Sequence, residues 1–127
     1  MFVGVGLGVM NVVVAAAASG SKRALSEPAN HTTVTVSKGT LITVTLHSTY
    51  WSFHSPSGAL SEKGSPVTKP APIGKCVPGG GCGTVTARFI ATRAGTGTIS
   101  AARTTCGEAM LCRPSQRTYT VKVKVTG

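Results

Sequence analysis

Apolar and polar residues alternate with period two from Thr32 almost to the end of the chain, and that alternation predicts strands with one buried face. Thr32–Val36 is a short alternating segment, closed by a turn at Ser37-Lys38-Gly39. Thr40–Leu46 (TLITVTL) places Ile42, Val44 and Leu46 on one face and Leu41, Thr43 and Thr45 on the other. Thr49–Phe53 (TYWSF) reads as a third strand carrying most of the aromatic mass. Thr84–Ala91 turns Val85, Ala87, Phe89 and Ala91 inward, with Ile90 the apolar exception on the outer face. Thr96–Thr104 alternates with small residues, which predicts close packing against a neighbouring sheet. Thr118–Val125 (TYTVKVKV) is the plainest case, with Tyr119, Val121, Val123 and Val125 facing a core and Lys122 and Lys124 facing water. No window keeps a 3.6-residue period over a helix length, and no segment repeats. About six to eight short strands of this kind predict an all-β fold, an antiparallel two-layer β-sandwich.

The segments outside this rhythm set the expected domain limits. Met1–Gly20 carries no charge and runs through Ala15-Ala16-Ala17-Ala18-Ser19, which suits signal-peptidase cleavage. Residues 1–18 are therefore expected to be an export signal, or failing that a retained N-terminal anchor. A buried strand is the third reading, disfavoured by the glycines. Residues 19–31 are expected to form a flexible lead-in, because Lys22–Asn30 (KRALSEPAN) mixes charge, Pro and no apolar period. Residues 32–127 are then a single β-sandwich domain. Within it, Ser55–Gly83 holds Pro56, Pro66, Pro70, Pro72 and Pro78, and is expected as an extended loop with one short edge strand near Ala59-Leu60.

Composition narrows the function. The 127 residues hold thirteen Lys and Arg against three Asp and Glu, a net charge of +10, and every charged residue lies after the apolar N-terminal run. One hydrophobic core serves a chain of this length. Helical bundles need many long charged helix formers, and charged residues are only 13% here. The acids are Glu27, Glu62 and Glu108, the histidines are His31, His47 and His54, and there is no Asp. That is too little to build a tuned carboxylate pair, and no nucleophile-elbow motif is present. The expectation is a protein without enzymatic activity or cofactor. The basic residues are scattered and the aromatics few, so a dedicated nucleic-acid site is not expected. Weak attraction to anionic surfaces is.

Cys76, Cys82, Cys106 and Cys112 form two C-x5-C pairs. Four cysteines allow three connectivities, and the turn-like segments bracketed by each pair favour 76–82 and 106–112. Such short closures stabilise by only about 2 kcal/mol each and act as clips on strand ends. Structural zinc prefers two to four residues between ligands, so a four-thiolate site fits the spacing poorly. A copper site from His47, His54 and Met110 would need a free cysteine, which paired cysteines do not provide. No metal site is expected. An even cysteine count beside an export signal points to a secreted or extracytoplasmic protein.

The residues also carry a resemblance. Thr32–Leu46 (TTVTVSKGTLITVTL), the aromatic pair Tyr50-Trp51, the Gly79-Gly80-Gly81-Cys82-Gly83-Thr84 stretch, Gly95–Ile99, and Arg113-Pro114 before the last strand resemble the chagasin-like inhibitors of papain-type cysteine peptidases. The resemblance covers roughly residues 32–126 and implies an immunoglobulin-like β-sandwich. It implies that three loops at one end wedge into a peptidase cleft without reacting. The implied loops are His47–Thr49, Pro78–Gly83 and Gly107–Gln116, with His47, Ser48, Thr49, Gly79, Gly80, Gly81, Gly83, Arg113 and Pro114 as binding residues. Two departures stand at that end. His47-Ser48-Thr49 is shorter than the family's Asn-Pro-Thr-Thr-Gly loop, and Ser115 stands where an aromatic follows Arg-Pro. The expected partner is a protein, a papain-like cysteine peptidase in the inhibitor reading. The competing reading is an immunoglobulin-like interaction or cell-envelope module without inhibitory activity.

Overall fold

The computed structural model describes residues 21–127, so the expected export signal lies outside the described residues. Two five-stranded sheets enclose one core. The first sheet runs β1 (Lys22–Leu25), β3 (Leu41–His47), β8 (Gly83–Ala91) and β6 (Leu60–Glu62), with β7 (Val67–Pro70) also on β8. The second runs β2 (Thr32–Ser37), β12 (Thr118–Thr126), β9 (Gly95–Ala102) and β4 (Ser52–Phe53), with β5 (Ser57–Gly58) also on β9. A small hairpin, β10 (Thr105–Gly107) and β11 (Met110–Leu111), stands apart from both. This is an immunoglobulin-like sandwich, as the alternation and the resemblance together led one to expect.

The alternation places the core. Ile42, Val44 and Leu46 of β3, Val85, Ala87, Phe89 and Ala91 of β8, Ile99 and Ala101 of β9, and Tyr119, Val121, Val123 and Val125 of β12 are all buried. Lys122 and Lys124 face solvent. The small residues of β9 do bring the sheets close: a Cβ at Gly97 would stand 2.6 Å from Leu60 Cγ in the other sheet. Phe53 tilts against Phe89 at 6.2 Å between centroids, closing the core from the side.

Four expectations need correction. Residues 19–31 are not a loose lead-in, since β1 pairs in parallel with β3 and Glu27–Ala29 forms a 3-10 turn. That turn carries the chain from the first sheet to the second, where β2 pairs in parallel with β12. The Tyr119 hydroxyl donates to Ser26 O at 2.9 Å, and Thr120 N–H donates to Asn30 Oδ1 at 2.9 Å. The segment shows no apolar period because only Leu25 of β1 is buried; backbone pairing and polar anchors hold the rest. The two parallel edge pairs likewise correct the purely antiparallel expectation.

The other two corrections concern the middle of the chain. The expected Thr49–Phe53 strand shrinks to Ser52–Phe53, because Thr49 and Tyr50 belong to the preceding turn. Ser55–Gly83 holds three short strands where one was expected. The chain crosses from β9 back to β8 at Ala59, and β7 then lies fully exposed on β8. Two- to four-residue strands with one or no buried side chain leave no alternation to read. The free loop is residues 71–82.

Candidate protein-binding end

β3 ends where β8 begins, with His47 opposite Thr84, and β9 ends where β12 begins, with Ala102 opposite Thr118. Antiparallel register therefore delivers three connections to one end of the sandwich. They are His47–Thr49, the segment 71–82 before β8, and the segment 103–117 before β12. The 27–29 turn lies over the same end.

Backbone pairing fixes the first connection against the second. Ser48 N–H donates to Gly83 O at 2.9 Å and Thr49 N–H to Gly81 O at 2.8 Å. Ser48 takes a φ of 119°, a left-handed conformation costly to a residue with a Cβ, and its Oγ accepts from Tyr50 N–H at 3.2 Å. Tyr50 then reaches into the glycine loop and its hydroxyl donates to Gly79 O at 2.5 Å. Gly81, at φ +71°, lies against the Tyr50 ring so closely that a Cβ would enter the ring edge. Two physical demands, left-handed backbone and no side chain, thus select glycine there. A Cβ at Gly80 would meet Cys76 Sγ at 2.6 Å, and Gly83 abuts the backbone of Lys69.

Disulfides clip the other two loops. Cys76 is bonded to Cys82 and Cys106 to Cys112, so each pair closes locally. Glu108, on the tip of the β10–β11 hairpin, lies against the glycine loop, its Cγ 3.6 Å from where a Gly79 Cβ would be. The three loops therefore form one contiguous surface through Tyr50, Gly79 and Glu108.

A second set of contacts ties the third loop to the core. Trp51 is buried, meets Tyr119 edge-on at 6.5 Å, and donates its indole N–H to His47 O at 3.1 Å. The Arg103 guanidinium stacks over the Trp51 ring, 4.4 Å from its centroid, a cation–π contact. Arg103 Nε donates to Gln116 O at 3.0 Å, Arg117 Nε to Cys112 O at 3.1 Å, and Arg113 N–H to Gln116 Oε1 at 3.1 Å. Arg113 and Pro114 themselves are exposed on the 3-10 turn Pro114–Gln116. The connection to the sandwich runs through Arg103, Arg117 and Gln116 rather than through them.

Glu27 completes this end. Its carboxylate accepts from His47 N–H at 2.5 Å and faces His47 Nδ1 at 3.0 Å. Burial pushes its pKa up, but the His47 backbone and imidazole contacts outweigh that, and the net pKa lies below the ordinary carboxylate value. Burial lowers the pKa of Arg103, opposed by the charge of Glu27. Burial, reinforced by the charge of Glu27, pushes Tyr119 up to about 12. A shallow cavity of about 200 Å³ separates these groups, lined by Glu27, Trp51, Arg103, Gln116 and Tyr119. A depressed carboxyl pKa stabilises the fold above pH 4.5, and the contribution is lost as pH falls through the folded value, because the unfolded chain binds more protons there. Urea unfolding between pH 6 and 3 is expected to show that loss, and Glu27→Gln is expected to flatten it. An unchanged slope would show that the Glu27–His47 contact does not stabilise the fold.

Sequence reasoning found the loops but missed the groups that join them. Tyr50 and Trp51 were visible as an aromatic pair, without their partners. Glu27 and Arg103 carry no signal, since their partners His47 and Trp51 lie far off in the sequence. Among the described residues no group of three or more His, Cys, Asp or Glu is arranged to hold a metal.

Two solved structures share this fold. The cysteine protease inhibitor EhICP2 of Entamoeba histolytica superposes with a TM-score of 0.59 at 19% identity, covering 84% of this chain and 97% of its own. The fold is that of the chagasin-like inhibitors. Amebosin, known from a solution structure, matches with a TM-score of 0.57 at 26% identity, covering 84% of this chain and 98% of its own. No protein-family model and no curated protein matches the chain. The likeness is one of fold, and it extends over 84% of the chain.

Proposed function

We propose that this is an exported inhibitor of papain-like cysteine peptidases that fills the substrate cleft with the loops His47–Thr49, Pro78–Gly83 and Gly107–Gln116. The observation that carries this is the bonding of the first loop to the glycine loop through Tyr50, with Glu108 of the third loop lying against Gly79 and Arg103 stacked on Trp51. A surface held by disulfides and backbone pairing loses little conformational entropy on docking, which is what a steric inhibitor requires. The chagasin-like fold supports the choice of target class. The short local disulfides support an oxidising compartment. His47, Ser48 and Thr49 would enter beside the glycines 79–81 and 83, with Arg113 and Pro114 at the flank.

The second reading, a non-inhibitory interaction module, is favoured by the three-residue first loop and by Ser115. Amide hydrogen exchange of the oxidised protein with and without a papain-like peptidase separates the two. The inhibitor reading expects protection confined to residues 47–49, 78–83 and 107–116. Protection on the sheet faces, or none, counts against it.

A further inference from the structure

Five large apolar side chains stand in water among the described residues; Val77, Met110 and Leu111 lie within the two disulfide closures, and Ile73 lies three residues before Cys76. Ile73 is fully exposed, and Val77, Met110 and Leu111 are each 60% exposed or more. The loops that present them touch, through Gly79 and Glu108. Solvent exposure of single apolar residues is ordinary, but three of them on two touching, covalently closed loops is a concentration that bulk surface does not predict. Met110 and Leu111 are adjacent in the two-residue strand β11, held at its base by Cys106–Cys112 and by Cys112 N–H donating to Thr104 O at 2.9 Å. Side chains fixed in this way cannot collapse onto the domain to hide.

Charge completes the description. Lys75 lies between Ile73 and Val77 in the chain, and Arg113 follows Met110-Leu111-Cys112; both are exposed. The one carboxylate in either loop, Glu108, lies against Gly79. The surface is thus apolar with a cationic border. Its complement is an apolar pocket bordered by carboxylates.

We infer that the β10–β11 hairpin is the principal recognition element, with Met110 and Leu111, on its two faces, as the anchors that meet apolar, acid-bordered walls of the peptidase cleft and Val77 supporting from the neighbouring loop. This rests on the inhibitor reading and gives that reading its specificity. The short His47–Thr49 turn enters beside it, held to the glycine loop by the Ser48 and Thr49 N–H groups. An anionic membrane is the other surface that takes apolar tips with a basic border. A wedge built on three mutually pinned loops suits a concave site better than a flat one.

The test compares the oxidised parent with the Met110→Ser/Leu111→Ser double variant, measuring Ki against a papain-like peptidase and the urea unfolding midpoint. Both residues are exposed, so the midpoint is expected to hold while Ki rises roughly tenfold or more, as for buried anchors at other interfaces. Val77→Ser, which leaves the hairpin intact, is expected to raise Ki by a smaller factor. An inhibiting parent with an equally inhibiting double variant overturns the hairpin assignment and leaves the inhibitor reading standing. A parent that does not inhibit overturns both. Binding to phosphatidylcholine–phosphatidylglycerol vesicles that disappears in the double variant assigns the tips to membrane and overturns the proposal as well.

Discussion

Trp51→Ala is expected to destabilise the protein by about 3–5 kcal/mol, the range for removing a large buried aromatic. Trp51 is the joint between core and binding end: it meets Tyr119 inside, donates to His47 O in the first loop, and carries Arg103 of the third. For a domain of this size the thermal midpoint should fall by roughly 15–30 °C. Trp51→Phe separates the contributions, because it keeps most of the ring and loses the donor to His47 O. A cost of about 1–2 kcal/mol is expected there. Urea or thermal unfolding of both variants checks the ordering. A loss below about 1 kcal/mol for Trp51→Ala, against the core-truncation range, would show that the joint lies elsewhere.

On the proposed inhibitor reading, Gly81→Ala is expected to weaken peptidase inhibition by roughly tenfold or more, a loss of at least about 1.4 kcal/mol of binding. The new Cβ must displace the Tyr50 ring, and with it the hydroxyl bond to Gly79 that unites the first two loops. The left-handed backbone adds about 1–2 kcal/mol of strain. Gly74→Ala supplies the control, because Gly74 shares a positive φ of +86° but has nothing near its Cβ position. Its strain is the same in kind, without the displacement. Inhibition constants for the pair should therefore separate sharply. Equal losses would mean that loop strain matters and the Tyr50 contact does not.

The sandwich was legible because its long strands bury one face each. Ile42, Val44 and Leu46, or Val121, Val123 and Val125, announce a two-residue period that only a half-buried strand needs. The parts that escaped are those whose order comes from backbone pairing or from distant partners. β1 buries Leu25 alone, and β7 buries nothing, so neither leaves an apolar trace. At the binding end, the cysteine spacing marked two clips and the glycines marked a tight loop. What the glycines accommodate became clear only with the Tyr50 ring in place. Glu27 was unreadable for the same reason, since its partner His47 is twenty residues away. Linear pattern reports local constraint, and the contacts that weld these loops together are not local.

The central claim is that the loop end as a whole occupies a papain-like active-site cleft. Steady-state titration of the oxidised protein against a papain-like cysteine peptidase tests it most directly, with both disulfides verified by mass. The account predicts reversible inhibition, competitive with substrate, at micromolar protein or below. No inhibition at micromolar protein, with both disulfides intact, would contradict it.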